Sequence, residues 1–226
     1  FSGTLRLGVI ETIAHSWFST FLTQLAERHP QLTIELTVDI SPFLHQRLAD
    51  NDLDMIFAMD GVAPGLSVTQ LPLTTYEMGL FVAPQHAERL HHSGTQALSR
   101  LPFVSFSKLA RPYGELVTYL AELGIDDPKI HCASTLMTIA RMSIDGVGIG
   151  SLPVSTVSDA CQRGELLRLE LPVPLPAMVY NAIWRTSSYP SFCRGVTQLA
   201  QDCAARYARD HADDERQGKV KVWSDS

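Results

Sequence analysis

Apolar and polar positions alternate along the first sixty or so residues in a way that predicts five elements. Leu5, Leu7 and Val9 recur every second residue, the period of a strand, and Gly8 between them lets a neighbouring group come close to the backbone. After Thr12 the period lengthens. Trp17, Phe18, Phe21, Leu22 and Leu25 fall three or four apart, which predicts a helix running to about His29 with one broad apolar stripe. His29-Pro30-Gln31 breaks it, and Leu32, Ile34, Leu36 and Val38 alternate as a second strand. Ser41-Pro42 reads as an N-cap followed by proline at the first helical position, with Leu44 and Leu48 inward and Asn51-Asp52 at the end. Met55-Ile56-Phe57-Ala58 is the continuous apolar run of a strand covered on both faces. This β-α-β-α-β order is a doubly wound unit, and such sheets bind ligands at the carboxyl ends of their strands.

A second unit follows. Segments 68–73 and 78–83 are strand-like, with Gly61 to Gly65 forming the turn before them, and His91-His92-Ser93-Gly94 is a polar loop. A strand is expected at 101–106, a helix at 112–123 stopped by Gly124, and a strand at 130–133. Ser134-Thr135 then caps a helix ending at Gly146. Residues 146–153 form a glycine-rich strand and turn, followed by a helix to about Arg163 and a strand at 166–171. Pro172, Pro174 and Pro176 make a stiff extended link to a strand at 178–184 and a helix at 191–207, and the last fifteen residues read as a charged tail. The final strand and helix are left over once the second unit is complete. The fold expected is therefore α/β, two Rossmann-like lobes joined by two crossover strands near Tyr76 and Met178. Lobe I comprises 1–76 and 178–226, lobe II 77–177, and the two crossings make a hinge.

Composition narrows the class of function. The chain has 226 residues, 45% of them hydrophobic and 19% charged, enough for a core without staples. No apolar run approaches the roughly 20 residues that span a bilayer, and the start lacks a signal-peptide pattern, so a cytoplasmic protein with no membrane partner is expected. Cys132, Cys161, Cys193 and Cys203 contain no close pair, which predicts reduced thiols rather than a zinc site or a disulfide framework. With 18 basic against 24 acidic side chains the net charge is −6, a balance that repels nucleic acid.

Seven short pieces carry a family resemblance. They are Gly3-Thr4-Leu5-Arg6-Leu7-Gly8, His29-Pro30-Gln31, Leu53-Asp54-Met55-Ile56, Leu71-Pro72-Leu73, Val82-Ala83-Pro84-Gln85-His86, the run from Gly146 through Gly148 and Gly150 to Pro153, and Gly164-Glu165-Leu166-Leu167-Arg168-Leu169. In order and spacing over about 210 residues the chain resembles the effector-binding domain of LysR-type transcriptional regulators. That resemblance implies a fold like the type II periplasmic binding proteins, a small-molecule effector in an interlobe cleft, and no cofactor. It further implies a homodimer, with a tetramer as the larger assembly of the full-length protein. DNA would be reached only through an N-terminal winged helix-turn-helix, which this chain does not contain. The chain departs from the family at Asn51-Asp52, where glycine is common, and lacks the usual Ser-Gly pair before the helix at Pro112. A transport-associated solute-binding protein of the same fold is the alternative.

Candidate site residues come from both readings. Thr12, Ser41 and Ser134 each place a hydroxyl where a strand gives way to a helix; each is either a helix cap or, where several helix starts converge, part of an anion site. By resemblance Thr12 and Ser41 touch effector, while Ser107, Pro112 and Tyr113 match the cleft wall of lobe II. Arg111 beside that wall is either a solvated loop arginine or the partner of a ligand carboxylate. Glu11 either faces solvent or accepts from a hydroxyl or amine of the ligand, and Met59 is either core or the pocket floor. Trp17, Phe18 and Phe21 are core or, by resemblance, part of a dimer face. Catalysis is not expected. Ser105-Phe106-Ser107-Lys108 matches Ser-x-x-Lys by count but lacks its companion motifs, the glycines around Gly148 lack dinucleotide spacing, and His91-His92 has no third metal ligand.

Overall fold

In a computed structural model, residues 3–61, 65–91, 93–211 and 218–222 are described. The chain divides into two units, Phe1–Thr75 with Val179–Asp210 and Tyr76–Met178 with His211–Ser226. The first begins with β1 (Gly3–Val9), α1 (Glu11–Ala14), α2 (Phe18–Arg28), β2 (Leu32–Val38), α3 (Ser41–Ala49), β3 (Met55–Ala58) and β4 (Val68–Tyr76). Next come β5 (Met78–Val82), α4 (Ala87–Leu90), β6 (Phe103–Phe106), α5 (Arg111–Glu122), β7 (Ile130–Ala133), α6 (Leu136–Ile144), β8 (Ile149–Pro153), α7 (Ser158–Gln162) and β9 (Leu167–Glu170). The chain closes with β10 (Met178–Arg185), α8 (Pro190–Asp210) and β11 (Lys219–Lys221).

The first sheet has the order β2-β1-β3-β10-β4. β1 pairs in parallel with β2 and β3, while β10 runs antiparallel to β3. Because β2 and β3 lie on opposite sides of β1, right-handed connections put α2 and α3 on opposite faces. Gly8 shows how closely α3 sits: a Cβ there would come within 2.7 Å of Leu53 Cδ1 and 2.9 Å of Leu44 Cδ2. β3 is buried along its whole length, as its unbroken apolar run requires.

The second sheet has the order β11-β9-β5-β8-β6-β7, and its parallel core β8-β6-β7 repeats the doubly wound logic. Four helices end alike. Asn51, Gly124, Gly146 and Gly164 take positive φ, and the next residue's N–H reaches back at 2.9 Å to Arg47, Leu120, Met142 and Ala160 respectively. Asn51, with φ of 65°, thus does in α3 what glycine does in the other three. Its carbonyl accepts from Arg6 Nη1 at 2.6 Å and its side-chain oxygen from Arg185.

Three expectations need correction. The single helix to His29 is two: Ser16 N–H and Oγ both bond Ile13 O, at 3.1 and 3.0 Å, which tightens the turn, buries Trp17 and restarts the helix at Phe18. Trp17 is 2% exposed against Phe21 and Phe57, so the bulky stripe is core and not a dimer face. Within the tail assigned to lobe I, Lys219–Lys221 instead pairs with β9 in the second sheet, because Val220 and Val222 bury themselves there. Val62, Ala63, Pro64 and His92 of the expected turn and polar loop lie outside the described residues, as do 212–217 and 223–226 of the tail.

Candidate functional site

In the first unit the candidate residues gather at the carboxyl ends of β1, β2 and β3. The N–H of Ile10 bonds Phe57 O at 3.2 Å and that of Asp39 bonds Val9 O at 3.2 Å, so the three strand ends are tied level. Glu11 and Thr12 form the first turn of α1. Glu11 pairs with His15 across 3.4 Å, and Thr12, 4% exposed, shares a hydrogen bond with Tyr180 on β10. Burial pushes the Tyr180 hydroxyl up to about 12, with the Thr12 bond acting the other way, so it stays protonated. Ser41 opens α3, where its Oγ accepts the N–H of Met59 at 3.1 Å, while His45 Nε2 bonds Met59 O at 2.8 Å. One turn of α3 therefore holds Met59 by both of its backbone groups, the N–H and the carbonyl. Since Ser41 Oγ already accepts, its own proton is left to donate to a ligand.

The capping alternative is overturned for Thr12 and Ser41. The N-caps of α1 and α3 are Ile10 and Ile40, without side-chain caps, and Pro42 is the second helical residue. Ser134 is exposed beside the true cap of α6, Thr135, whose Oγ1 accepts from Thr138 N at 3.1 Å. The remaining candidates lie in the second unit after β6. Ser107 Oγ accepts Leu109 N at 3.4 Å, and Arg111, Pro112 and Tyr113 are the first three residues of α5. Arg111 is exposed, with Glu115 3.4 Å away. Pro42 and Pro112 each remove an N–H from a helix start, and α1 has only four residues, so each of these starts offers an anion less than a full helix start would.

Sequence reasoning missed Tyr180, His45 and the carboxylate of Asp60, which accepts from Gln70 Nε2 at 2.7 Å and from the buried Asn181 Nδ2 at 2.5 Å. His45 could have been found, because it stands one turn after Ser41 on the same helical face. Tyr180 and Asn181 carry no local signal. They meet their partners only through the antiparallel pairing of Asn181 with Ala58.

Two doubly wound units with hydroxyl-bearing strand ends define the class of small-molecule-binding α/β domains. Comparison with known proteins narrows it: the LysR substrate binding domain family model matches residues 1–201, and the chain belongs to that family. It is 26% identical over 188 residues to a probable hydrogen peroxide-inducible genes activator of Mycobacterium avium, covering 81% of this chain and 60% of the relative. It is 25% identical over 203 residues to the HTH-type transcriptional regulator YofA of Bacillus velezensis, covering 88% and 68%. The chain thus spans about 60% of the length of the Mycobacterium relative. Among solved structures, the reduced regulatory domain of OxyR2 from Vibrio vulnificus has a TM-score of 0.74 at 20% identity, covering 90% of this chain and 95% of that one. The C-terminal domains of a LysR family protein from Agrobacterium tumefaciens give 0.74 at 19%, covering 90% and 97%. The fold is that of LysR regulatory domains, of the type II periplasmic-binding-protein kind.

Proposed function

We propose that this chain is the ligand-sensing part of a bacterial LysR-type transcription regulator, acting in the cytoplasm on a small organic effector. The observation that carries the reading is the Ser41 hydroxyl, placed at the strand ends with its proton free to be donated. An effector with an anionic group suits it. The family match favours this reading over a solute-binding protein. DNA is read by a helix-turn-helix in the rest of the protein, and the effector acts only as far as it binds two arrangements unequally: a tenfold shift takes about 1.4 kcal/mol of difference. A second copy of the chain joins along β2, an edge strand whose Leu36 and Val38 are 44% and 47% exposed.

A response to hydrogen peroxide, which the name of the Mycobacterium relative mentions, would call for a reactive thiol, and that has less support. Cys132 is exposed, but Cys161, Cys193 and Cys203 are buried, burial pushes the Cys193 thiol up to about 11 and raises that of Cys203, and a protonated thiol is a poor nucleophile, so three of the four cysteines are unsuited to the role. The test is a thermal-shift screen of small carboxylates and aromatic acids on the wild type and on Ser41→Ala. Hits whose shift shrinks in the variant are expected. Hits that stabilise both proteins equally would sink the assignment of the site.

A further inference from the structure

Seven serine, threonine and asparagine side chains are buried among the described residues: Thr12, Ser105, Ser143, Ser151, Ser158, Asn181 and Thr197. Five have protein partners. Ser143, Ser158 and Thr197 bond carbonyls one turn back, at 2.8, 3.2 and 2.8 Å; Thr12 bonds Tyr180 and Asn181 bonds Asp60. Ser105 and Ser151, both fully buried, have none. Both lie on strands, where no carbonyl one turn back is within reach of a hydroxyl. Alanine would fill either place without leaving a polar atom unpaired.

The two hydroxyls belong together. β6 and β8 pair in parallel, Phe103 with Ile149 and Val104 with Gly150, so continuing the register sets Ser105 beside Ser151 on one face. That face is the one away from α6, since a Cβ on Gly150 would strike Ser143 Oγ of α6 at 2.1 Å. β7 and β8 flank β6, so right-handed connections put α5 on the face of the two serines. Beyond β8 the chain turns the other way: Val154, Val157, Ala160 and Cys161 share a core with Leu136 and Ile139 of α6. The chain leaves β6 toward one face and β8 toward the other, which makes the gap between their carboxyl ends the switch point of this sheet. Ser105 and Ser151 lie just beneath it.

From this geometry we infer that Ser105 and Ser151 form a two-hydroxyl site holding one neutral, hydroxyl-type oxygen. One serine donates to that oxygen and the other accepts from it. A charged group does not suit the place, because the neighbours across the sheet in the same row are Leu80, paired with Ser151, and Cys132, paired with Ser105. The oxygen has two sources, an ordered water or a hydroxyl of the effector. The second source rests on the ligand-sensing reading above, the first does not.

The experiment combines melting with crystallography. If an oxygen is held, Ser105→Ala and Ser151→Ala each lower Tm by about 2–4 °C, and the double variant falls little further because either change already breaks the bridge. Crystals of the wild type are then compared without ligand and soaked with lactate or propionate. Density about 2.6–3.2 Å from both Oγ atoms without any ligand identifies water; density appearing with lactate and not with propionate identifies a ligand hydroxyl. Alanine variants that melt at or above the wild-type temperature, or an empty site under all three conditions, overturn the inference. Effector binding with the site empty would overturn it while leaving the ligand-sensing function standing.

Discussion

Replacing Ser41 by alanine separates two jobs that the structure gives one hydroxyl. Its oxygen accepts the Met59 N–H at 3.1 Å, and His45 secures the same residue by its carbonyl, so alanine frees one end of the clasp and leaves the other. The loss of one such bond costs about 1 kcal/mol, toward the low end for an orphaned donor because Ser41 is half-buried and water can reach it. For a protein of this length that corresponds to a fall in Tm of about 2–4 °C. If the hydroxyl proton is donated to a charged group of the effector, its removal takes a further 1.5–3 kcal/mol or so from binding, about 10- to 150-fold in Kd. Ser41→Thr keeps both acceptor and proton and retains most of each. Calorimetry with the best ligand from the thermal-shift screen gives Kd, and melting gives stability. A Kd unchanged in Ser41→Ala, together with the expected loss of Tm, would refute the ligand contact and leave Ser41 as a clasp for Met59 alone.

Two more outcomes follow from features away from the strand ends. Burial alone would raise the Asp54 carboxyl, but hydrogen bonds from the Arg6 side chain (2.7 and 3.2 Å) and backbone N–H (2.8 Å) outweigh it and hold the group below its ordinary 3.8. A carboxyl depressed by folding lends stability that is complete above the unfolded value and drains away as pH falls through the lower folded one. Urea melts from pH 6 to pH 2 are therefore expected to show a shallower acid loss in Asp54→Asn than in wild type, and equal slopes would contradict the pairing. Leu36→Glu puts a charge on the exposed edge strand β2 of the proposed interface; sedimentation is expected to show the wild type as a dimer and the variant as a monomer at the same concentration, and equal sedimentation of the two would contradict an interface along β2.

What could be read from the sequence is what burial on one side imposes on local order. Leu5, Leu7 and Val9 alternate because their face of β1 is buried while Thr4 and Arg6 on the other face are exposed or half-buried, and Met55–Ala58 does not alternate because both faces of β3 are covered. What could not be read depends on partners distant in the chain. Trp17 continues the stripe of α2 without a gap, so nothing in the period marks the break before Phe18; the break comes from the two bonds of Ser16 to Ile13 O. β11 has three residues and no period, and only its parallel register with Arg168–Glu170 makes it a strand. Asn51 stands out in the sequence as a departure from the family, yet its φ of 65° and its partners Arg6 and Arg185 let it close α3 as glycine closes its counterparts.

Thr12 and Ser41 lie between these cases. A small hydroxyl residue just past a strand end can be found by inspection, because the change of period locates the start of the helix to within a residue or two. Whether that hydroxyl caps the helix depends on which residue last keeps extended backbone dihedrals, and here these are Ile10 and Ile40, whose side chains cannot accept. Displaced by one or two residues from the caps, the hydroxyls turn instead to Tyr180 and Met59. The sequence therefore locates the polar groups of the strand ends, but the sheet decides which of their protons and lone pairs are already spent, and so which kind of ligand atom they are left to receive.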